Sequence, residues 1–359
     1  MPPAAESTAP AGALDYLSLP AAARLIARVG VVECLRDVEQ AIEADFRRWP
    51  EFSKTARLAQ PTPDGVIELM PVADGRHYAF KYVNGHPRNT RLGLPTVMAF
   101  GAIARVDTGA PIFLSELTLS TALRTAATSV MAARLLARPD SRVMALIGNG
   151  SQSEFQALGF VGLLGIRSLR LYDVDAAATR KLMGNLADVE VELVPCDSVA
   201  EAVQGADIVT TLTADKMRAT ILRGEWLRPG MHINAVGGDC PGKTELDAAI
   251  LRRARVFVEF EPQTRIEGEL QHMAPEFAVT ELWRVLAGQA PGRRDAAEIT
   301  LFDSVGFALE DYSVMRCLQA LGRAHGLLES LALLPALRDP KDLYSLVREA
   351  GAGGDGDRA

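Results

Sequence analysis

The chain has 359 residues, 48% hydrophobic and 23% charged, with a formal net charge of −7, which is a globular composition long enough for two domains. Its acidity, and the lack of any concentrated Lys/Arg stripe, exclude nucleic acid and anionic membrane as the main partner and leave small molecules. No run reaches the ~18 apolar residues of a membrane span, and segment 1–13 lacks the order of a secretion signal, which points to a cytoplasmic protein.

In chain order, both extremities (1–13 and 351–359) read as mobile, and segment 14–124 has an α+β texture. It begins with a helix and continues with strand-like runs at 65–70, 78–83 and 110–115. Arg57, Lys81 and Arg124 stand beside apolar or small-residue segments rather than in a solvated charge run, so three cations can gather on one carboxylate. Glu68 is the odd acid in an apolar strand and suits either a substrate ammonium or one of those cations.

From about 142 to 306 short apolar runs alternate with amphipathic stretches, the pattern of a parallel sheet covered by helices. Strands are expected at 142–147, 169–172, 189–194, 207–212, 232–236, 255–260 and 299–302, with helices at 176–186, 198–203 and 244–253. The first strand runs into Gly148-Asn-Gly150-Ser-Gln-Ser153. Gly148 permits a tight turn, Gly150 lets the backbone approach a pyrophosphate, and the following helix offers unpaired N–H groups; Ser153 replaces the third glycine of the usual pattern. Asp173 ends the second strand 25 positions after Gly148, where an acid meets ribose hydroxyls and repels a 2′-phosphate, favouring NAD over NADP. A strand-end Asp also caps helices, and Asp175 fits that role.

At 234–245 a strand breaks into glycines and delivers Asp239 to the rim where ligands of open α/β sheets lie, which makes it a candidate acid/base. As a helix cap, Thr244 with Asp247 three positions on fits better. Cys34, Cys196, Cys240 and Cys317 show no metal or disulfide spacing. Residues 307–327 form one amphipathic helix that returns to the first segment. The expected organisation is therefore a Rossmann-type doubly wound domain, 125–314, inserted into a discontinuous α+β substrate-binding and dimerisation domain, 1–124 plus 315–359.

Six segments together resemble the ornithine cyclodeaminase/mu-crystallin family over about residues 14–326: Lys81-Tyr-Val-Asn-Gly-His-Pro87, Gly93-Leu-Pro-Thr96, 121–129, 147–153, Ala235-Val-Gly-Gly-Asp-Cys-Pro-Gly-Lys-Thr-Glu245 and Phe302-Asp-Ser-Val-Gly306. The resemblance implies conversion of L-ornithine to L-proline and ammonia by an internal hydride cycle with NAD, in a homodimer built through the first domain. It implies that Arg57, Lys81 and Arg124 bind the substrate carboxylate region, that Glu68 faces the side-chain amine, that Val305 lines the pocket and that Asp239 is the catalytic acid/base. It places NAD against Thr96, Arg124, Ser151, Gln152, Asp173, Thr213, Ile233, Asn234, Ala235, Val236, Lys243 and Ser304, beside Gly148 and Gly150 of the turn. Relatives with the same fold include lysine cyclodeaminases, NAD(P)H-dependent ketimine reductases, alanine dehydrogenases and non-enzymatic crystallin-type binders; Glu68 and the Gly-Gly-Asp-Cys-Pro-Gly-Lys block resemble the ornithine branch.

Overall fold

The computed structural model describes residues 12–214 and 218–352, so most of the two extremities read as mobile lies outside the described residues. Their inner edges are regular structure instead: Ala13 opens a strand and Gly351 and Ala352 close a helix. Among the described residues the first element is that strand, β1 (Ala13–Leu17), rather than the expected helix, which follows as α1 (Leu19–Val29) and α2 (Val31–Arg47). The opening strand escapes the sequence because it is short and owes its place to tertiary pairing with a strand about a hundred residues away.

Five further strands and a two-residue edge strand complete most of the first sheet. They are β2 (Ser53–Lys54), β3 (Leu58–Thr62), β4 (Gly65–Ala73), β5 (His77–Gly85), β6 (Val97–Arg105) and β7 (Pro111–Glu116). β4 to β7 form an antiparallel meander, and β1 joins β7 in parallel. Alternation along β4 turns Val66, Glu68, Met70 and Val72 inward, and along β5 it turns Ala79, Lys81 and Val83 inward. Met70 faces Lys81 and Glu68 faces Val83, so the acid and the lysine lie one diagonal step apart on the buried face.

Helix α3 (Thr118–Leu136) carries the chain into a second sheet. There follow β8 (Val143–Ile147), α4 (Ser153–Leu164), β9 (Ser168–Tyr172), α5 (Ala176–Asn185), β10 (Glu192–Pro195), α6 (Val199–Val203), β11 (Ile208–Thr211), β12 (Arg218–Leu222), β13 (His232–Ala235), β14 (Thr244–Leu246), α7 (Ala248–Arg253), β15 (Arg255–Val258), α8 (Glu261–Glu267), β16 (Thr280–Glu281), α9 (Leu282–Leu286) and β17 (Thr300–Asp303). The strand order is β10-β9-β8-β11-β13-β17-β15-β16, every pair parallel. The winding reverses between β8 and β11, the switch point at which such sheets open a ligand crevice. The expected helix at 244–253 is overturned in its first half: Thr244 pairs in β14 with β12, and Asp247, not Thr244, caps α7 by accepting from Ala249 N at 2.9 Å.

The chain then returns through α10 (Ala308–Ala324) and β18 (Glu329–Ala332), which pairs antiparallel with β1, before α11 (Ser345–Ala352). α10 lies on the buried face of the first sheet, where Tyr312 donates to Asp74 at 2.8 Å and Ser313 to Asp45 at 2.8 Å. One apolar cluster joins α1, α2, α3 and α10 to Phe257 and Phe302 of the second sheet, so the two sheets share a core. The expected limits at 124/125 and 314/315 fall inside α3 and α10, which serve both sheets. Among the described residues no helix is long and apolar enough to cross a membrane.

Candidate active site

The glycine turn leaves β8 beside the end of β11. Gly148 has φ +95°, and a Cβ there would lie 2.8 Å from the Leu212 carbonyl oxygen, so only glycine fits. Gly150 faces open space, and Ser151 is exposed next to it. No side chain caps α4; Ser153 N bonds back to the Gly150 carbonyl at 3.3 Å, and the rest of the first turn is left without a side-chain acceptor. Asp173 reaches back over the turn, accepting from Asn149 N at 2.6 Å and Asp175 N at 2.8 Å, while Asp175 caps α5 through Ala177 N at 2.8 Å. A dinucleotide fits this arrangement: room for phosphate at Gly150, a helix end behind it, and an acid at the tip of the next strand.

Nine of the residues singled out in the sequence line one cavity between the sheets: Arg57, Glu68, Lys81, Arg124, Gln152, Val236, Asp239, Ser304 and Val305. At about 80 Å³ it suits a small molecule rather than a polymer segment. Thr213 and Lys243 adjoin it: Lys243 donates to the Thr213 carbonyl at 2.7 Å and lies 3.4 Å from Asp239 Oδ1. Thr96 stands next to the lining residue Val97, its carbonyl accepting from His86 N at 2.8 Å. Ile233 and Ala235 bury their side chains in the core, and Asn234 donates to Thr210 Oγ1 at 3.2 Å within the sheet. A nucleotide would therefore meet this strand through its carboxyl end, not through those side chains.

The three cations do not stand ready for a single carboxylate, as expected, but are each already paired. Arg57 lies 2.9 Å from both Glu68 and Glu267, and donates to the carbonyls of Val305 at 2.5 Å and Gly306 at 2.6 Å. Lys81 donates to Asp311 at 2.7 Å; Arg124 pairs with Glu310 at 2.8 Å and Asp311 at 3.2 Å. Burial pulls the Lys81 ammonium down to about 8, Asp311 resists the shift, and Arg124 and Arg57 add to it. Burial likewise pushes Glu310 up to about 8 against the pull of Arg124. Glu68 Oε1 is buried and finds no hydrogen-bond partner among the described residues, leaving one acceptor toward the cavity.

Sequence reasoning missed Glu267, Glu310 and Asp311. The latter two sit in the first turn of α10, where acids suit a helix N-terminus on their own account. Their partners are 186 and 230 positions away. The one available signal was their place four and five residues after Gly306.

A doubly wound sheet with a phosphate-ready turn at its switch point, facing an ion-paired cavity across a second sheet, defines an enzyme of the Rossmann dinucleotide-binding class. Residues 21–321 match the ornithine cyclodeaminase/mu-crystallin family, and the chain belongs to that family. It is 54% identical over 334 residues to an ornithine cyclodeaminase of Brucella suis biovar 1, covering 93% of each chain. A lysine cyclodeaminase, solved for its recognition of L-lysine, L-ornithine and L-2,4-diaminobutyric acid, superposes with a TM-score of 0.86 at 30% identity, covering 93% of this chain and 99% of that one. An archaeal alanine dehydrogenase dimer with bound NAD superposes with a TM-score of 0.80 at 30% identity, covering 89% and 99%.

Proposed function

We propose that the protein converts L-ornithine to L-proline and ammonia, using NAD catalytically. The observation that carries this reading is the charge balance of the cavity: three cations face Glu68, Glu267 and Asp311, with Glu310 held toward its neutral form and Asp239 as a further acid at the rim, and Glu68 keeps one oxygen without a hydrogen bond among the described residues. A substrate with one carboxylate and two ammonium groups complements that set better than a neutral amino acid does. Lys81 and Arg124 hold the α-carboxylate, Glu68 takes the terminal ammonium, and Val66, Met70, Val83, Val97 and Val305 keep water from the reacting carbons.

Bound NAD would supply the hydride acceptor and donor for Cα. Asp173 would take its ribose hydroxyls, Gly148, Gly150, Ser151 and Gln152 would cradle its phosphates, and Thr96, Arg124, Thr213, residues 233–236, Lys243 and Ser304 would flank the rest. Asp239 accepts a proton from the α-ammonium, gives it to the departing ammonia, and serves each intervening transfer at the same carbon. Held at the far end by Glu68, the terminal amine, once it has lost its proton, attacks the Cα imine, so ring closure outruns hydrolysis to the keto acid. The protein works as a homodimer through the outer face of the first sheet, where Leu69, Tyr78 and Phe100 are 37–47% exposed and Tyr82 stacks on Phe100 at 5.2 Å.

Incubation with NAD and L-ornithine deuterated at Cα tests the reaction: proline retaining deuterium at Cα, with ammonia and no accumulating NADH, is expected. NADH rising in step with a keto acid or cyclic imine would mean a net dehydrogenase, and faster turnover of L-lysine would move the assignment to the lysine branch.

The depressed Lys81 ammonium gives the site a pH limit. Lys81 is charged below its pKa of about 8 and neutral above it, so carboxylate binding weakens as pH rises through that value. The substrate analogue 5-aminopentanoate keeps its own charge through this window, since its amine titrates at about 10.4 as lysine does; Glu310, pushed up to about 8, ionises over the same range and acts in the same direction. The analogue's inhibition constant should climb about tenfold per pH unit above 8. A flat profile from neutral pH upward would remove Lys81 from the carboxylate site.

A further inference from the structure

One wall of the cavity is a short irregular strap, 304–306, between β17 and α10. Of its four hydrogen-bond donors, Ser304 N continues the sheet ladder to the Ala235 carbonyl at 2.8 Å and the other three converge on one carboxyl group. Glu259 follows β15, whose Val258 stands opposite Asp303 of β17, and it is fully buried. Its Oε1 accepts from Ser304 Oγ at 2.6 Å and Gly306 N at 3.2 Å, and its Oε2 from Val305 N at 3.3 Å. The strap's carbonyls take cations and amides from the other side: Arg57 donates to Val305 O and Gly306 O, and Gln263 Nε2 to Gly306 O at 2.7 Å. Gln263 Oε1 also accepts from Arg57 N at 3.2 Å.

The strap is thus threaded between the Glu259 carboxyl group on its N–H side and the Arg57 guanidinium on its carbonyl side. Gly306, at φ +75°, passes so close to Arg124 that a Cβ would lie 2.4 Å from Nη1. Directly after it, the first turn of α10 carries Glu310 and Asp311, which fix Arg124 and Lys81. Any slip of the strap therefore moves Val305 and disturbs all three cations.

We propose that Glu259, which lies outside the cavity, is a positioning residue: by holding three donors of the strap it fixes Val305 in the cavity wall and the Arg57 guanidinium that braces Glu68, and so governs substrate affinity more than the chemical step. This rests on the ornithine reading above. Glu259→Gln is the sharpest test, because the amide keeps the shape but offers one acceptor where two were used, and turns an N–H₂ toward either Val305 N–H or the Ser304–Gly306 pair.

In the full-length protein Glu259→Gln should raise KM for L-ornithine about tenfold or more, the loss typical of a hydrogen bond to a charged group, with kcat within about twofold of the parent. Calorimetric binding of 5-aminopentanoate to the NAD-loaded protein should weaken by the same factor without any turnover. The melting temperature is read alongside, because a buried donor left without its acceptor costs some stability of its own. Glu259→Asp, too short to span all three donors, should move KM the same way. Unchanged KM and inhibitor affinity, or a loss of kcat that tracks a lowered melting temperature, would overturn the positioning role. The parent separates the two claims: no ornithine turnover by the parent overturns the reaction reading, whereas parent turnover with an unmoved Glu259→Gln variant overturns this proposal alone.

Discussion

Asp239→Asn retains NAD binding and loses turnover by a factor of about 10³ or more, within the range that a positioned proton-transfer group contributes. The substitution keeps the size of the side chain at the cavity rim, so the nucleotide turn, which lies on other strands, is undisturbed. No neighbouring group can take over. Lys81 and Arg124 are bound in ion pairs with Asp311 and Glu310, and Arg57 is bound to two carboxylates and two carbonyls. Lys243, 3.4 Å from Asp239, is tied to the Thr213 carbonyl. Titration of NAD by fluorescence, set beside single-turnover proline formation, checks the prediction. Turnover at the parent rate would end the assignment, and loss of NAD affinity in proportion to activity would make Asp239 a cofactor contact.

Glu68→Gln is expected to weaken L-ornithine by about 10²-fold, because a buried ammonium that loses its only carboxylate partner is left uncompensated. The effect should be selective. L-norvaline, which has the same α-carbon groups and chain but no terminal amine, should change its inhibition constant by less than about threefold, since no charged contact is lost. Arg57 keeps Glu267 and the two strap carbonyls when Glu68 is neutralised, so the wall it braces stays in place. Equal weakening of both ligands would show instead that Glu68 acts by orienting Arg57, and the discrimination between ornithine and shorter or uncharged amino acids would have to be sought elsewhere.

The parallel sheet was legible because its strands are buried on both faces and read as short apolar runs punctuated by glycine. Six of the expected strands differ from the observed ones only at their ends; the run at 189–194 begins as a turn and pairs only from Glu192. The first sheet was harder to read: β6 alternates Ala and Gly with larger residues, and β1 depends on a parallel partner far along the chain. Among the site residues, those on strand ends and in glycine breaks stood out, because an acid or cation in an apolar or glycine-rich setting is conspicuous. Glu259, Glu267, Glu310 and Asp311 did not, since each sits in an ordinary local context and acquires its significance only from a charge brought to it by folding. The same fact corrected the picture of three cations awaiting a ligand: burial of that much positive charge demands carboxylates from somewhere in the chain, and the fold supplies them from α8 and α10.

The return of α10 and β18 to the first sheet fixes the order in which the molecule can be assembled during synthesis. The first sheet's strands leave the ribosome early and α1 and α3 can cover β7 and β6, yet the inner face of β4 and β5 stays uncovered until α10 emerges, and β1 lacks its outer neighbour until β18 does. The second sheet, 143–303, has all its strands before then and can condense first. In the interval the nascent chain shows solvent a bare edge and an apolar face, the surfaces that recruit chaperones or seed misassembly. A truncation before residue 308 would prolong that state indefinitely, so the half of the protein made first is the half that is finished last.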